Sequence, residues 1–467
     1  MATTAQFQQN GSTVVDVNAG NFSMLDYFPK PPNTLANGRP DLTTRVTEEV
    51  PFIVKASTLD LVSDYLGNLD RYLLNASLNP AQYLEFVWKP DTLTTAGRVT
   101  VYEGMVKREG RAEKTDDGQY VQRAVAQIVR DPVWFGALTS ITFDASTPGT
   151  IDNDDTCYVV LPTLLGDLPA PCRFIVQSSG GNTASAKRAL ASLKANGTPA
   201  QFSHILQVES ATYLDAGLTN QASTNFSPGT GGTTAKRYAA ANTNFIQLAR
   251  WDITSNVLAW QGTYLALLRV RENSTTRNYR FMLRGGDIVG SQYIAGAWTT
   301  AQKVKTPTTN SGATTEWLLL PLGLVTAPRA RGRDVPYGGI FFDLWGDCLA
   351  ATGSVDLDNL FLFPVGECGS GLGLAAADFD VALSNGRAVF DSRAGMPPAY
   401  LSDGTNFLAG AANYQGGALY VLPQVALQRV YFLVTRDETG YFQHDRTNTL
   451  SVTGWYQPRW SHMPGTN

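Results

Sequence analysis

Only one stretch of this chain carries a strong helical period, and that limits the fold more than any other feature. Leu59, Val62, Leu66, Leu69, Leu73 and Ala76 recur at spacings of three and four, on one face of a 3.6-residue turn. The spacing predicts a helix over residues 58–76. Ser57 and Asp60 have capping-box spacing at its start, and Asn79-Pro80 ends it. A lone helix with one apolar stripe has to cover a sheet. Leu59, Val62, Leu66, Leu69 and Leu73 are therefore the expected helix core.

The rest of the chain reads as short strands between turns. Val46 to Lys55, Leu84 to Lys89, Cys157 to Leu161 and Arg173 to Gln177 are strand-like. Arg98 to Arg108 and Tyr120 to Val129 form the arms of a long hairpin, with a turn signal at Asp117-Gly118. A free-standing hairpin of this length is marginal in water, so it has to pack on something. Ala184 to Lys194 reads as a short helix stopped by Asn196-Gly197. From residue 206 aromatic residues become frequent and no helical period is seen. Gly262 to Arg271 and Asn278 to Arg284 read as paired strands. Later strands are expected at Thr315 to Leu320, Gly339 to Trp345 and Ser354 to Phe363. The expected class is mainly β. It comprises a β-sandwich body with one packed helix and a long hairpin, built from residues 1–180 and 368–467. A linker with a short helix (181–205) leads to an inserted sandwich at 206–367. Trp251, Trp260, Trp298, Trp317 and Trp345 should mostly be core.

Charge and chemistry exclude several classes. Charged residues are 16% of the chain, against roughly 25% in ordinary soluble domains. That excludes a coiled coil, and 10% aromatics exclude a disordered chain. A net charge of −4 argues against a nucleic-acid grip based on bulk positive charge. Arginine outnumbers lysine, 26 to 10, and no local pattern accounts for the bias. Cys157, Cys172, Cys348 and Cys368 form no CxxC pair. The opening Met-Ala-Thr-Thr-Ala-Gln lacks a basic region followed by an apolar run, so synthesis in a cytoplasm without a signal peptide is expected. No run of ~18 apolar residues occurs to form a membrane helix.

The three histidines, His204, His444 and His462, stand outside any HExxH or triad context. Gly229 to Arg237 lacks P-loop spacing, and Asp152, Asp154 and Asp155 lack the EF-hand pattern. Arg329, Arg331 and Arg333 read as a solvated basic loop. No catalytic residue is assigned and the chain is expected not to be an enzyme.

Two resemblances follow from particular segments. Gln207 to Ala211, Gly262 to Arg271 and Val355 to Pro364 resemble strands of a carbohydrate-binding-module jelly roll. That resemblance implies weak glycan contact and calcium at Glu209 with Asp356 or Asp358, although Gln207 stands where the first acid belongs. The flanking parts resemble siphophage tail proteins of the tail-tube and distal-tail type. The segments that carry this are Arg130 to Gly136, Gly166 to Pro171 and Tyr456 to Trp460.

The tail resemblance implies a virion subunit, a tail tube protein assembled in the host cytoplasm. It would stack as rings with other phage tail proteins around a channel through which DNA passes without specific binding. The jelly roll would decorate the outside. No cofactor beyond the calcium candidates and no membrane partner are implied. Arg98, Val101, Met105, Arg108, Tyr120, Val125 and Ile128 on the hairpin are the subunit-interface candidates. The alternatives are a distal-tail adhesion protein that binds host-surface glycans and a secreted glycan-active enzyme.

Overall fold

The structure, a computed structural model, describes residues 3–461 except 10, 34, 36–40, 42, 79–83, 91–95, 145–148, 153–156, 180–187, 195–204, 223–233, 240–243, 256, 273–278, 304–316, 328–336, 349–353, 366, 369–370, 380–386, 394–395, 404–405, 424, 427, 438–441 and 444–448. All three histidines, Asp154, Asp155, Arg329, Arg331 and Arg333 lie outside the described residues. So does the start of the Gly229–Arg237 loop.

The chain is mainly β, with one α-helix among the described residues, Leu59–Leu78. It divides into two compact units. The first comprises residues 1–139, 165–170 and 457–467, and the second residues 140–164 and 171–456.

The first unit is an antiparallel sheet covered by the helix. Its strand order is Ser12–Asp16, Thr4–Gln9, Leu84–Lys89, Gly97–Lys114, Tyr120–Arg130, Val46–Ala56, Phe22–Met24. Every second residue of Val46–Ala56 is buried, as expected of a strand with one covered face. Phe7, Phe52, Phe86, Val99 and Ile128 form one core with Val62, Leu66, Leu69 and Leu73 of the helix. Gly104 lets the helix approach this closely, because a Cβ there would meet Leu73 Cδ2 at 3.0 Å and Gln127 O at 2.8 Å.

Two expectations for the helix are corrected. Leu59 is 48% exposed, since it is the first helical residue and its turn projects past the covered stripe. The cap is Thr58 rather than a Ser57–Asp60 box: its Oγ1 accepts from Leu61 N at 3.2 Å and its carbonyl from Val62 N.

Among the described residues, the second unit holds three sheets. One runs Tyr213–Leu214, Ile246–Ile253, Tyr337–Cys348, Tyr279–Val289, Gln292–Trp298. Another begins Thr219–Ala222, Thr234–Tyr238, Val355–Pro364, Gly262–Glu272, Leu318–Ala327. These two enclose a common core that includes Trp251, Trp260, Tyr264, Phe281, Phe342 and Leu360. Gly262–Glu272 and Tyr279–Val289 are thus not partners, as the sequence suggested. Each pairs within its own sheet, the first with Leu318–Ala327 and Val355–Pro364, the second with Gln292–Trp298 and Tyr337–Cys348. Trp251, Trp260 and Trp317 are buried, and Trp298 and Trp345 are half-buried.

The second sheet does not stop at residue 367. It continues through Phe442–Gln443 and Gln428–Asp437 to Arg188–Lys194 and Gly371–Asp378. Its outer face is covered too. Leu267, Leu319, Phe361 and Phe363 pack with Cys157, Tyr431 and Leu433 in one apolar cluster. Residues 206–367 therefore share a sheet and a core with strands on either side of them in sequence. The compact units divide the chain at 139/140 rather than grouping 1–180 with 368–467.

The expected short helix is also corrected. Arg188–Lys194 is a strand, paired on one side with Gly371–Asp378 and on the other with Gln428–Asp437. Two ladders of backbone hydrogen bonds outweigh a weak helical propensity. The third sheet runs Thr150–Asp152, Thr449–Tyr456, Ala170–Ser179, Arg387–Asp391, Ala399–Ser402, Phe407–Gly410.

Candidate functional site

Three segments distant in sequence meet in the first unit. Trp134–Phe135 pairs antiparallel with Arg459–Trp460. Gly136 N donates to Pro458 O at 2.8 Å, and Gln457 Nε2 donates to Gly136 O at 3.2 Å. Asp167 N donates to Arg459 O at 3.0 Å, while the Asp167 carboxylate accepts from Ser461 N and Oγ, each at 2.7 Å. Gly136 is required here because a Cβ would lie 2.9 Å from the Trp460 ring. Next to this junction, Arg130 and Glu48 form a fully buried ion pair, with Arg130 lying over Trp134 at 4.9 Å. Lys30 N donates to Glu48 Oε1 at 2.7 Å. Burial, reinforced by the Glu48 charge, holds the Tyr27 hydroxyl pKa well above its ordinary value.

The hairpin is Gly97–Lys114 and Tyr120–Arg130, turned at Gly118 with φ +83°. Its interface candidates separate into two groups. Val101, Val125 and Ile128 are buried within the chain, Val101 and Ile128 in the helix-covered core, so they are not surface. Met105 is 50% exposed, Arg108 is exposed, and Tyr120 is half-buried under Lys114. Arg98 pairs with Glu85 at 3.4 Å.

The second arm has no free edge over its length, since Val46–Ala56 pairs with it from Val46↔Arg130 to Ala56↔Tyr120. The first arm differs. Leu84–Lys89 covers its outer edge only as far as Val101. Asp70 on the helix accepts from Val106 N at 2.8 Å. Among the described residues, no strand pairs with the outer edge of 107–114.

In the second unit the main polar feature is a layer of arginines over buried aspartates. Asp343 is fully buried and accepts from Arg250, Arg284 and Gln247. Asp347 pairs with Arg280, and Asp356 with both Arg237 and Arg271. Arg269 and Asp358 form a pair with neither side chain exposed. The guanidiniums also stack on rings: Arg284 over Trp298 at 4.2 Å, Arg250 over Tyr293 at 4.0 Å, Arg269 and Arg271 over Trp317 at 4.5 and 4.8 Å. These partners sit opposite one another on neighbouring strands, as in Arg250↔Asp343↔Arg284.

This layer bears on the calcium candidates. Both aspartates already face guanidiniums. Glu209 is half-buried, its carboxylate oxygens are buried with no hydrogen-bond partner among the described residues, and burial raises its pKa. Among the described residues, no group of three or more His, Cys, Asp or Glu side chains converges to hold a metal. The arginine layer was not foreseen as a feature. Its signal was the 26 to 10 arginine excess, together with Asp and Arg at alternate positions in Val355–Pro364 and Gly262–Glu272.

No family model matches the chain, and no curated protein matches it by sequence. Among solved structures it is similar to a chain of the phage P2 baseplate in its activated conformation with Ca, with 8% identity over 99% of this chain and 100% of that one, at a TM-score of 0.23. The activated phage p2 baseplate with Sr gives 11% identity over 74% and 98%, at 0.19. An exo-β-1,3-galactanase from Phanerochaete chrysosporium with galactose gives 10% over 60% and 78%, also at 0.19. Superpositions this loose define neither a shared fold nor a shared role.

Proposed function

We propose that this chain is a non-catalytic structural subunit of a tailed-phage virion, a tail tube protein that assembles with copies of itself into rings. The observation that carries the reading is the open edge at 107–114. Elsewhere on the same hairpin the chain satisfies its strand edges, by Leu84–Lys89, by Val46–Ala56 and by the Asp70 carboxylate. An unpaired strand edge is a template for another chain. Lys107, Arg108, Arg111 and Lys114 on that edge keep the free subunit from indiscriminate pairing.

Two further points support the reading. The segments that carry the resemblance to tail proteins, around Trp134, Asp167 and Trp460, form one junction beneath the hairpin's base. The arginine-paired aspartates of the second unit are committed to ion pairs, which suits a scaffold better than acid–base work. Glycan adhesion has less support. The rings that would stack on sugar, Trp298 and Tyr293, already carry Arg284 and Arg250.

The test is electron microscopy with light scattering on the purified full chain across a range of concentrations. Rings or stacked tubes are expected. A monodisperse monomer at every concentration contradicts the proposal.

A further inference from the structure

One sheet of the second unit ends in a hairpin, Tyr279–Val289 and Gln292–Trp298, turned through Gly290 and Ser291 with Gly290 at φ +61°. Tyr279–Val289 lies inside the sheet against Tyr337–Cys348, and Gln292–Trp298 is the last strand. The chain that follows continues along Tyr279–Val289 instead of turning back over that strand. Thr299 N donates to Leu283 O at 2.8 Å, and Gln302–Lys303 pairs with Phe281 and Arg280. Among the described residues, no strand pairs with the outer edge of Gln292–Trp298.

This edge differs in kind from the one at 107–114. Charged residues and proline are what keep an edge from pairing. None occurs from residue 290 to residue 301. Each of residues 292–297 is exposed, and successive residues point to opposite faces, so neither face is sealed. Tyr293 is 45% and Ile294 47% exposed. The strand is nevertheless held in place. Tyr293 Oη donates to Asp252 Oδ2 at 2.8 Å, and its ring meets Phe341 edge-on at 5.3 Å. A strand fixed in advance loses little freedom when it pairs.

The hairpin also sets which backbone groups are open. A two-residue turn makes Val289 and Gln292 a hydrogen-bonded pair, and the pattern alternates from there. Asp287 and Ile294 therefore bond to each other. Tyr293 and Ala295 turn their N–H and C=O groups to the outer edge. The register shift of this hairpin lies beyond Ala295, so the stretch is regular.

We infer that this edge pairs antiparallel with the same strand of a second copy, about a two-fold axis at Ile294. Tyr293 of each copy then exchanges both backbone hydrogen bonds with Ala295 of the other, and every open group on the two residues is satisfied. Ile294 meets its own counterpart, large Tyr293 lies beside small Ala295, and Gln292 lies beside Gly296. No like charges face each other at the axis. The contact belongs to the second unit and does not rest on the tube reading. In a ring assembly it would join a copy in one ring to a copy in another.

The experiment is mild oxidation of the full chain carrying Ile294→Cys, read by non-reducing electrophoresis. Opposed residues at a non-hydrogen-bonded pair have Cα atoms about 4.5 Å apart, within disulfide range. A covalent dimer is expected. Ala295→Cys should crosslink far less, because in this register the two copies of residue 295 are diagonal neighbours at about 7–8 Å. The unmodified chain controls for its own cysteines. Absence of the Ile294→Cys dimer, which would leave the edge to a different partner, overturns the proposal. An equal yield from Ala295→Cys overturns it too. Should Ile294→Cys fail to fold, hydrogen exchange of the unmodified chain decides the matter. Protection of the Tyr293 and Ala295 amides that rises with protein concentration supports the contact, and exchange independent of concentration overturns it.

Discussion

The sheet of the first unit and the sandwich sheets of the second handle uncovered surface in different ways. In the second unit, one outer face is sealed by apolar side chains from Cys157, Tyr431 and Leu433. The other is sealed by arginines folded over Asp343 and Asp347, which leaves both carboxylates fully buried. In the first unit the helix covers the sheet and Asp70 caps one edge amide, yet among the described residues no strand pairs with the outer edge at 107–114. Under the proposed function, that edge is the one offered to a neighbouring copy. The covered faces are also why the central strands belong to the second unit's body and do not form a separate sandwich.

The largest expected effect comes from removing the central strands. Joining residue 200 to residue 372 through a short linker deletes Gly262–Glu272, Leu318–Ala327 and Val355–Pro364, and with them most of the shared apolar cluster. That protein should show no cooperative unfolding transition for the second unit in calorimetry. A sharp transition would mean that the two parts are separable after all.

Next is the buried pair. Arg269→Met should destabilise by about 3–5 kcal/mol, because it removes the buried guanidinium that pairs with Asp358. The double change Arg269→Met with Asp358→Leu should recover most of the loss. Urea unfolding of the three proteins measures it, and a double variant as weak as the single one would show that the pair matters beyond charge balance.

The helix allows an internal comparison. Leu66→Ala should cost about 2–5 kcal/mol through lost transfer energy and a cavity. Leu59→Ala should cost less than about 1 kcal/mol, because Leu59 is half exposed. Similar losses at both positions would contradict the helix placement.

The smallest effect is a pH dependence. Burial raises the pKa of Glu209 above its unfolded value, so the folded state binds its proton more firmly. Its contribution to stability is full below the unfolded pKa and is lost as pH rises through the folded one. Glu209→Gln should therefore gain Tm relative to the parent between acid and neutral pH, by a small margin. A Tm difference that does not change with pH would rule out this assignment.

The sequence made the local elements legible where their period was strong. Leu66, Leu69 and Leu73 face the core as the helical spacing requires, and Leu84–Lys89 is a strand with the boundaries its pattern suggests. Pairing was far less legible. Gly262–Glu272 and Tyr279–Val289 lie next to each other in sequence but in opposite sheets, because in a sandwich the next strand can cross to the other layer. Arg188–Lys194 was lost to a helix reading because its partners lie some 180 and 240 residues further on. The arginine layer was hidden for the same reason. Asp343 meets Arg250 and Arg284 only after three strands align, and composition hints at the chemistry without fixing the register.

The open edge is tested most directly by deleting residues 109–118 and comparing assembly by light scattering and electron microscopy. The deletion removes the turn and the outer part of the first arm, but keeps Val101, Ile128 and the helix contacts in place. A folded variant is expected, with the parent's Leu66-dependent stability, that forms no rings where the parent forms them. Normal rings or tubes from the deleted chain would contradict it.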